Sequence, residues 1–423
     1  MKKLLACLFL AAVLAAGAWF VVFPARHAPV VRSVPPPVTS RTGSSSLGSA
    51  VQDALVRYVS QMRRATGAPG VSAAVVLPDG EAVTAAVGYA DVEARTPMAP
   101  DTLLLGGSTG KSYGAATIMR LVAAGRLSVD DRVSRYLGAR GWFARVPNAG
   151  ALTIRMLLTH TGGLPQFLDL GVFQRRFLRD AWLGRDTGYP PETMLSFLSG
   201  EHPLCAPGAE FHYSDLGYTL LGLVIEQVTG RPYFQVLRDE VLAPLDLDWI
   251  RPADTPTIPG LAVGYVGSTW LTRLSRMAGR NMTSGVLRFN PAIEYTGGGL
   301  ANNPRGLATF YKRLIEGRLV DARSVARMVG DAVPAPALGK GTRYGYGLMI
   351  MNRPMLGRYI GHSGWYPGYL SYAAYFADHG FSVAIQVNRD DGIDIYVPVR
   401  DIASRVVAAL DQSPASGPQP ATR

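Results

Sequence analysis

Two β-hairpin patterns lie at opposite ends of this 423-residue chain, and they constrain its fold more than any other feature. In the first, the runs Val71 to Leu77 and Ala82 to Val87 flank Pro78-Asp79-Gly80. In the second, Leu370 to Phe376 and Phe381 to Val387 flank Asp378-His379-Gly380. Short apolar runs joined by a Gly-containing turn pair antiparallel. A helix pattern precedes the first hairpin. Val51, Leu55, Tyr58, Val59 and Met62 form its apolar stripe, Ser49 and Gln52 have capping-box spacing, and Gly67 stops it. A last helix pattern, carrying Val399, Ile402, Val406 and Leu410, follows the second hairpin. Between the hairpins lie helical patterns separated by Gly/Pro-rich stretches. The expectation is an α+β fold: an antiparallel sheet built from both chain ends, flanked by helices, with a mostly helical inserted lobe.

The ends are of different character. Met1-Lys2-Lys3 opens onto an uncharged apolar run from Leu4 to Phe23, the pattern of an export signal. Ala16-Gly17-Ala18 offers small residues for cleavage, while the full run is long enough, at ~1.5 Å per residue, to cross a bilayer core of ~30 Å. Residues 1–23 therefore read as a signal peptide or a membrane anchor. Residues 24–48, rich in Pro, Ser, Thr and Arg, read as a flexible linker, and 412–423 as a disordered tail. The catalytic unit is expected over 49–411, outside the cytoplasm, either periplasmic or secreted, with anchoring to the inner membrane left open.

Composition excludes several classes. The chain is 48% hydrophobic and 17% charged, which suits a large core rather than a disordered or fibrous protein. Its formal charge of +11 is almost all arginine, without a dense basic run or basic-aromatic interleaving, so nucleic acid is not an expected partner. Cys7 lies in the apolar run and Cys205 stands alone in the body, so no disulfide is expected there. The histidines show no metal-ligand spacing, so neither a metal nor a cofactor is expected.

One segment carries chemistry: Gly106-Gly107-Ser108-Thr109-Gly110-Lys111-Ser112. As a phosphate loop it is one residue short between Gly106 and Gly110-Lys111, which keeps a P-loop ATPase as the rival enzyme. As a G-x-S-x-G elbow it would need a mostly parallel sheet. As Ser-x-x-Lys at a helix start, it puts Lys111 on the same face as Ser108, with Cβ atoms ~5–6 Å apart. The helix start favours the alkoxide formed on attack, and a desolvated lysine can accept a proton. The chain has only five lysines, and arginine could not take this role. Tyr213-Ser214-Asp215 stands at the entrance of a helix bearing Leu220, Leu221, Val224, Ile225 and Val228. Beside a lysine cation its phenolate becomes accessible. His362-Ser363-Gly364 leads into the second hairpin, where a strand edge could pair with substrate.

Taken with Leu157-Leu158-Thr159-His160-Thr161 and Gly297-Gly298-Gly299-Leu300, in this order and spacing, the segments resemble the serine β-lactamase and penicillin-binding-protein family. The similarity runs from about Val51 to Leu410 and is to the branch with class C β-lactamases, D,D-carboxypeptidases and esterases. The resemblance implies a β-lactamase/transpeptidase-like fold and an acyl-enzyme on Ser108, with Lys111 and Tyr213 moving protons. It also implies an oxyanion hole from the Ser108 and Trp365 backbone N–H groups. His362, with Ser363 and Gly364, would bind a substrate carboxylate or tune Tyr213. The implied substrate is a small molecule or peptide, peptidoglycan-derived peptides included.

Two departures from the family pattern matter. Asp215 stands where the family usually has Asn; an anion there would keep Lys111 protonated and shift base duty toward Tyr213. His362 stands where class C β-lactamases carry Lys, and Trp365 is bulky where a small residue is common. Both favour D,D-peptidase or esterase action over efficient β-lactam hydrolysis. Asp215 is also the feature that would suit a non-catalytic, cell-wall-binding protein of this fold.

Overall fold

The structure is a computed structural model that describes residues 37–41, 45–247, 249–268, 272 and 277–412. The expectations for residues 1–23 lie outside these. Among the described residues no helix is long and apolar enough to cross a membrane.

The two hairpins are present and are joined to each other. Strand β1 is Val38–Arg41, helix α1 Ser46–Thr66, β2 Gly70–Val76 and β3 Ala82–Asp91. Within the inserted lobe, α2 is Gly110–Ala123, α3 Asp215–Thr229 and α4 Pro304–Ile315. The chain then returns through β4 Met349–Arg353, β5 Gly357–Tyr366, β6 Tyr369–Phe376 and β7 Phe381–Val387, and ends in α5, Tyr396–Gln412. The main sheet has the order β1-β3-β2-β7-β6-β5-β4, continued by short strands at 343–344 and 333–334. Its seam is the antiparallel pairing of β2 with β7, Val71 opposite Val387 and Val76 opposite Ser382.

Both central strands are mostly apolar and buried at every position because both sheet faces are covered. Val71, Ala73 and Val75 point to one face, against Val51, Leu55, Val59 and Met62 of α1 and Val399, Ile402 and Val406 of α5. Ala74 and Val76 point to the other, against the helical lobe. Helix α4 lies across β2, β7 and β6 on that side and ties lobe to sheet.

Three readings are corrected. The segment read as a linker contains β1, an edge strand in register with β3 (Val38 opposite Val87), so the folded body starts before residue 49. Helix α1 begins at Ser46, not after Ser49: the Ser45 hydroxyl accepts the Gly48 N–H at 2.8 Å. Glu81, at the turn of the first hairpin, accepts the Ser45 N–H at 3.1 Å and fixes that cap from across the sheet. Tyr58 is only half-buried at the edge of that stripe, and its hydroxyl donates to Asp401 of α5 at 2.9 Å.

Candidate active site

The nucleophile turn is made by close backbone approach. Ser108 lies in a short 3-10 turn, Gly107–Thr109, that runs into α2. Gly107 has φ 52°, which favours glycine, and a side chain there would meet the Trp365 backbone nitrogen at 2.7 Å. Gly110 rests on Gly298 so tightly that a Cβ would lie 2.6 Å from its Cα. A Cβ on Gly364 would overlap the Gly106 carbonyl, which also accepts the Ser371 hydroxyl at 2.6 Å. The glycines of three distant segments thus allow the turn, the 297–299 backbone and strand β5 to meet.

Lys111 is fully buried. Its Nζ donates to Ser108 Oγ at 3.1 Å and to the Gly297 carbonyl at 2.8 Å, and it forms an ion pair with Asp215. Burial works against the ammonium, but Asp215, Tyr213 and Glu294 outweigh it and hold Lys111 above the ordinary lysine range. Gln166 locks the carboxylate: its Nε2 donates to Asp215 Oδ2 at 2.6 Å while its Oε1 accepts the Asp215 N–H at 3.1 Å. Lys111 Nζ lies 4.9 Å from the Tyr213 ring centroid, and both Lys111 and Ser108 are close enough to the Tyr213 hydroxyl to lower its proton affinity. Loss of water around Tyr213 pushes its phenol up to about 12 despite that cation. The accessible phenolate expected from the sequence is therefore corrected: desolvation outweighs the lysine.

His362 is buried, and burial with the Lys111 charge drives its imidazole down to about 3. Its Nδ1–H donates to the Ser363 carbonyl, and its Nε2 accepts the Tyr344 hydroxyl at 2.9 Å. Such a ring is neutral and spoken for, so it cannot receive a carboxylate by charge. It packs instead in an aromatic group with Tyr213, their ring centroids 6.4 Å apart. Ser363 is the other correction. Side chains alternate along a strand, so it faces away from His362 and bonds the Tyr396 hydroxyl of α5 at 2.8 Å. Trp365, 36% exposed, stands at the end of β5 beyond the part paired with β4 and forms a lip beside the turn.

Three functional neighbours escaped the sequence reading. His160, with φ 56°, accepts the Ser214 N–H at Nδ1 at 3.1 Å and stacks 4.3 Å from the Tyr213 ring, so it sets the entry of α3. The Leu-Leu-Thr-His-Thr segment signalled it, but a helix-end histidine does not disclose its partner. Gln166 had no signal beyond the sequence distance to Asp215. Glu294 lies near enough to Lys111 and Asp215 to feel both charges.

The geometry excludes two rival readings of the segment. The strand before the turn has two residues, Leu104–Leu105, and pairs antiparallel with Leu300–Asn302, which suits neither a phosphate loop nor an α/β-hydrolase elbow. Lys111 is committed to Asp215 rather than turned toward a phosphate site.

The chain is similar to several known proteins. Penicillin-binding protein 4* of Bacillus subtilis (strain 168) is 23% identical over 344 residues, covering 76% of this chain and 68% of that protein. Esterase EstB of Burkholderia gladioli is 34% identical over 199 residues, 46% of this chain and 49% of the esterase, so the match spans about half of that relative. The crystal structure of a D-stereospecific amidohydrolase from Streptomyces sp. superposes with a TM-score of 0.69 at 28% identity, covering 83% of this chain and 97% of that one. The family model described as Beta-lactamase matches residues 55–402, and the chain accordingly belongs to the Beta-lactamase family, as a serine hydrolase with the β-lactamase/transpeptidase-like α+β fold.

Proposed function

We propose that Ser108 attacks an ester or amide carbonyl and carries the acyl group until water removes it, with small D-amino-acid derivatives, esters or peptidoglycan-derived peptides as substrates. The observation that carries this reading is one contact set: Ser108 Oγ 3.1 Å from Lys111 Nζ, with the Tyr213 hydroxyl close to both. At rest Lys111 is an ammonium and Tyr213 a phenol, so the pair must shed one proton before it can take the Ser108 proton. The two interact closely and titrate together. The Lys111 N–H then supports the developing alkoxide, and Tyr213 returns a proton to the leaving group. The carbonyl oxygen is received by the Ser108 and Trp365 backbone N–H groups on the edge of β5 left unpaired by β4. His362 positions Tyr213 through the aromatic group rather than touching substrate.

Amides and esters rank above β-lactams. A neutral His362 offers no charge to a β-lactam carboxylate, and a charge-assisted hydrogen bond of about 1.5–3 kcal/mol corresponds to roughly tenfold or more in rate. In a panel of p-nitrophenyl esters, D-amino-acid amides and nitrocefin, kcat/KM is expected to be lowest for nitrocefin by about that factor, and Ser108→Ala should lose every activity. Fast nitrocefin turnover would reverse the ranking, and activity retained in Ser108→Ala would remove the nucleophile. We place the enzyme outside the cytoplasm, on the export pattern of residues 1–23, with that segment cleaved or kept as an anchor.

A further inference from the structure

Lys111 needs one counter-ion and has it in Asp215. The cleft nevertheless contains a second carboxylate. Glu294 ends the 3-10 turn Pro291–Glu294, just before Tyr295, whose φ of 42° is strained for a residue with a side chain. That turn brings Glu294 Oε2 against the Cα of Gly298, into the space a side chain at 298 would fill. The same side of Gly298 faces the Gly107 carbonyl, 2.9 Å from where a Cβ would lie, so the carboxylate adjoins the residue before the nucleophile. Among the described residues no side chain hydrogen-bonds or ion-pairs with Glu294, and it is partly open to solvent. Its carboxylate therefore has room for a partner that reaches the cleft from solvent.

We infer that Glu294 is a cation-accepting subsite, and that the enzyme prefers acyl donors carrying a primary ammonium close to the scissile carbonyl. This rests on the acyl-Ser108 reading above and names its substrate class. The side of the cleft follows from the neighbours. Tyr213, which serves the leaving group, clusters with His160, Tyr344 and His362. Glu294 instead adjoins Gly298 and the Gly107 carbonyl, and Gly107 packs on the Trp365 backbone, the side of the turn to which we assign the acyl portion. Burial and the nearby Asp215 anion push the Glu294 carboxyl up to about 8 in the empty cleft. An arriving ammonium supplies the missing positive charge and lets the carboxyl ionise. One lysine facing two acids thus becomes two cations facing two anions.

The test uses the full chain and a fluorophosphonate probe that labels Ser108. D-phenylalanine amide and N-acetyl-D-phenylalanine amide differ in whether the amine can be charged. Each is titrated as a protectant against labelling, read by intact mass spectrometry. In the wild type the free amine should protect at concentrations roughly tenfold or more below the acetylated compound, the value of one charge-assisted contact. In Glu294→Gln the ratio should collapse to within about threefold. Equal protection by both compounds in the wild type overturns the subsite without any variant. So does an unchanged ratio in Glu294→Gln. No labelling of Ser108 at all would instead defeat the hydrolase reading on which the subsite stands.

Discussion

Asp215→Asn is expected to move the rising limb of the kcat/KM–pH profile down by on the order of 1–3 pH units. The sign follows from the charges around the site. The carboxylate raises the proton affinity of both Lys111 and Tyr213. Activity requires the pair to lose one proton, so it grows as pH rises toward the pair's apparent ionisation. Removing the anion leaves burial as the dominant influence on Lys111, and burial disfavours the ammonium. The basic form is then populated nearer neutrality, whichever partner gives up the proton. Because a single proton is in question, moving the limb down by one on the pH scale raises the rate up to about tenfold at a pH on the old limb. Hydrolysis of an activated ester across pH 5 to 10 would measure it. A limb that stays in place, or moves to higher pH, would mean that Asp215 does not control the catalytic proton.

Lys111→Met should have the larger effect at a single pH. It removes one of the two groups that together take the Ser108 proton, a contribution of roughly 10²–10⁴-fold. It also leaves Asp215 beside an apolar chain. Breaking a buried pair by removing one partner typically costs about 3–5 kcal/mol, and the partial exposure of Asp215 (16%) puts this case toward the lower end. The double variant Lys111→Met with Asp215→Asn separates the two effects. Its stability in urea should return most of the way to the wild type, because no unpaired charge remains, while its activity stays lost. Recovery of activity in the double variant would show that Lys111 serves only as the partner of Asp215.

The hairpins show why much of the fold was legible. Strands covered on both faces are written as mostly apolar runs, and Gly80 and Gly380, with φ of 93° and 73°, mark their turns. That β2 and β7 pair was readable only as a consequence of two ends needing one sheet. The edge strand at Val38–Arg41 was not, because a polar four-residue segment takes its conformation from β3 rather than from its own propensity. At the site, Ser108, Lys111, Tyr213 and Asp215 share recognisable short segments. Gln166 and Glu294 do not, and the glycine run that contains Gly297 does not disclose that its carbonyl meets Lys111. Their roles come from where the 3-10 turns and the glycine contacts deliver them, and a backbone oxygen has no residue identity to read. Ser363 was misjudged for a simpler reason. A three-residue strand motif names positions on alternate faces, and only His362 and Gly364 share the face toward the turn.

The claim on which the rest depends is that a covalent acyl group passes through one hydroxyl. Acid quench of the enzyme during turnover of a slow ester, followed by proteolysis and peptide mass spectrometry, observes it directly. The expected result is a mass increase equal to the acyl group, confined to the peptide containing Ser108, that appears and decays with turnover. An adduct on another residue, or steady turnover with no adduct and undiminished rate in Ser108→Ala, would contradict the account.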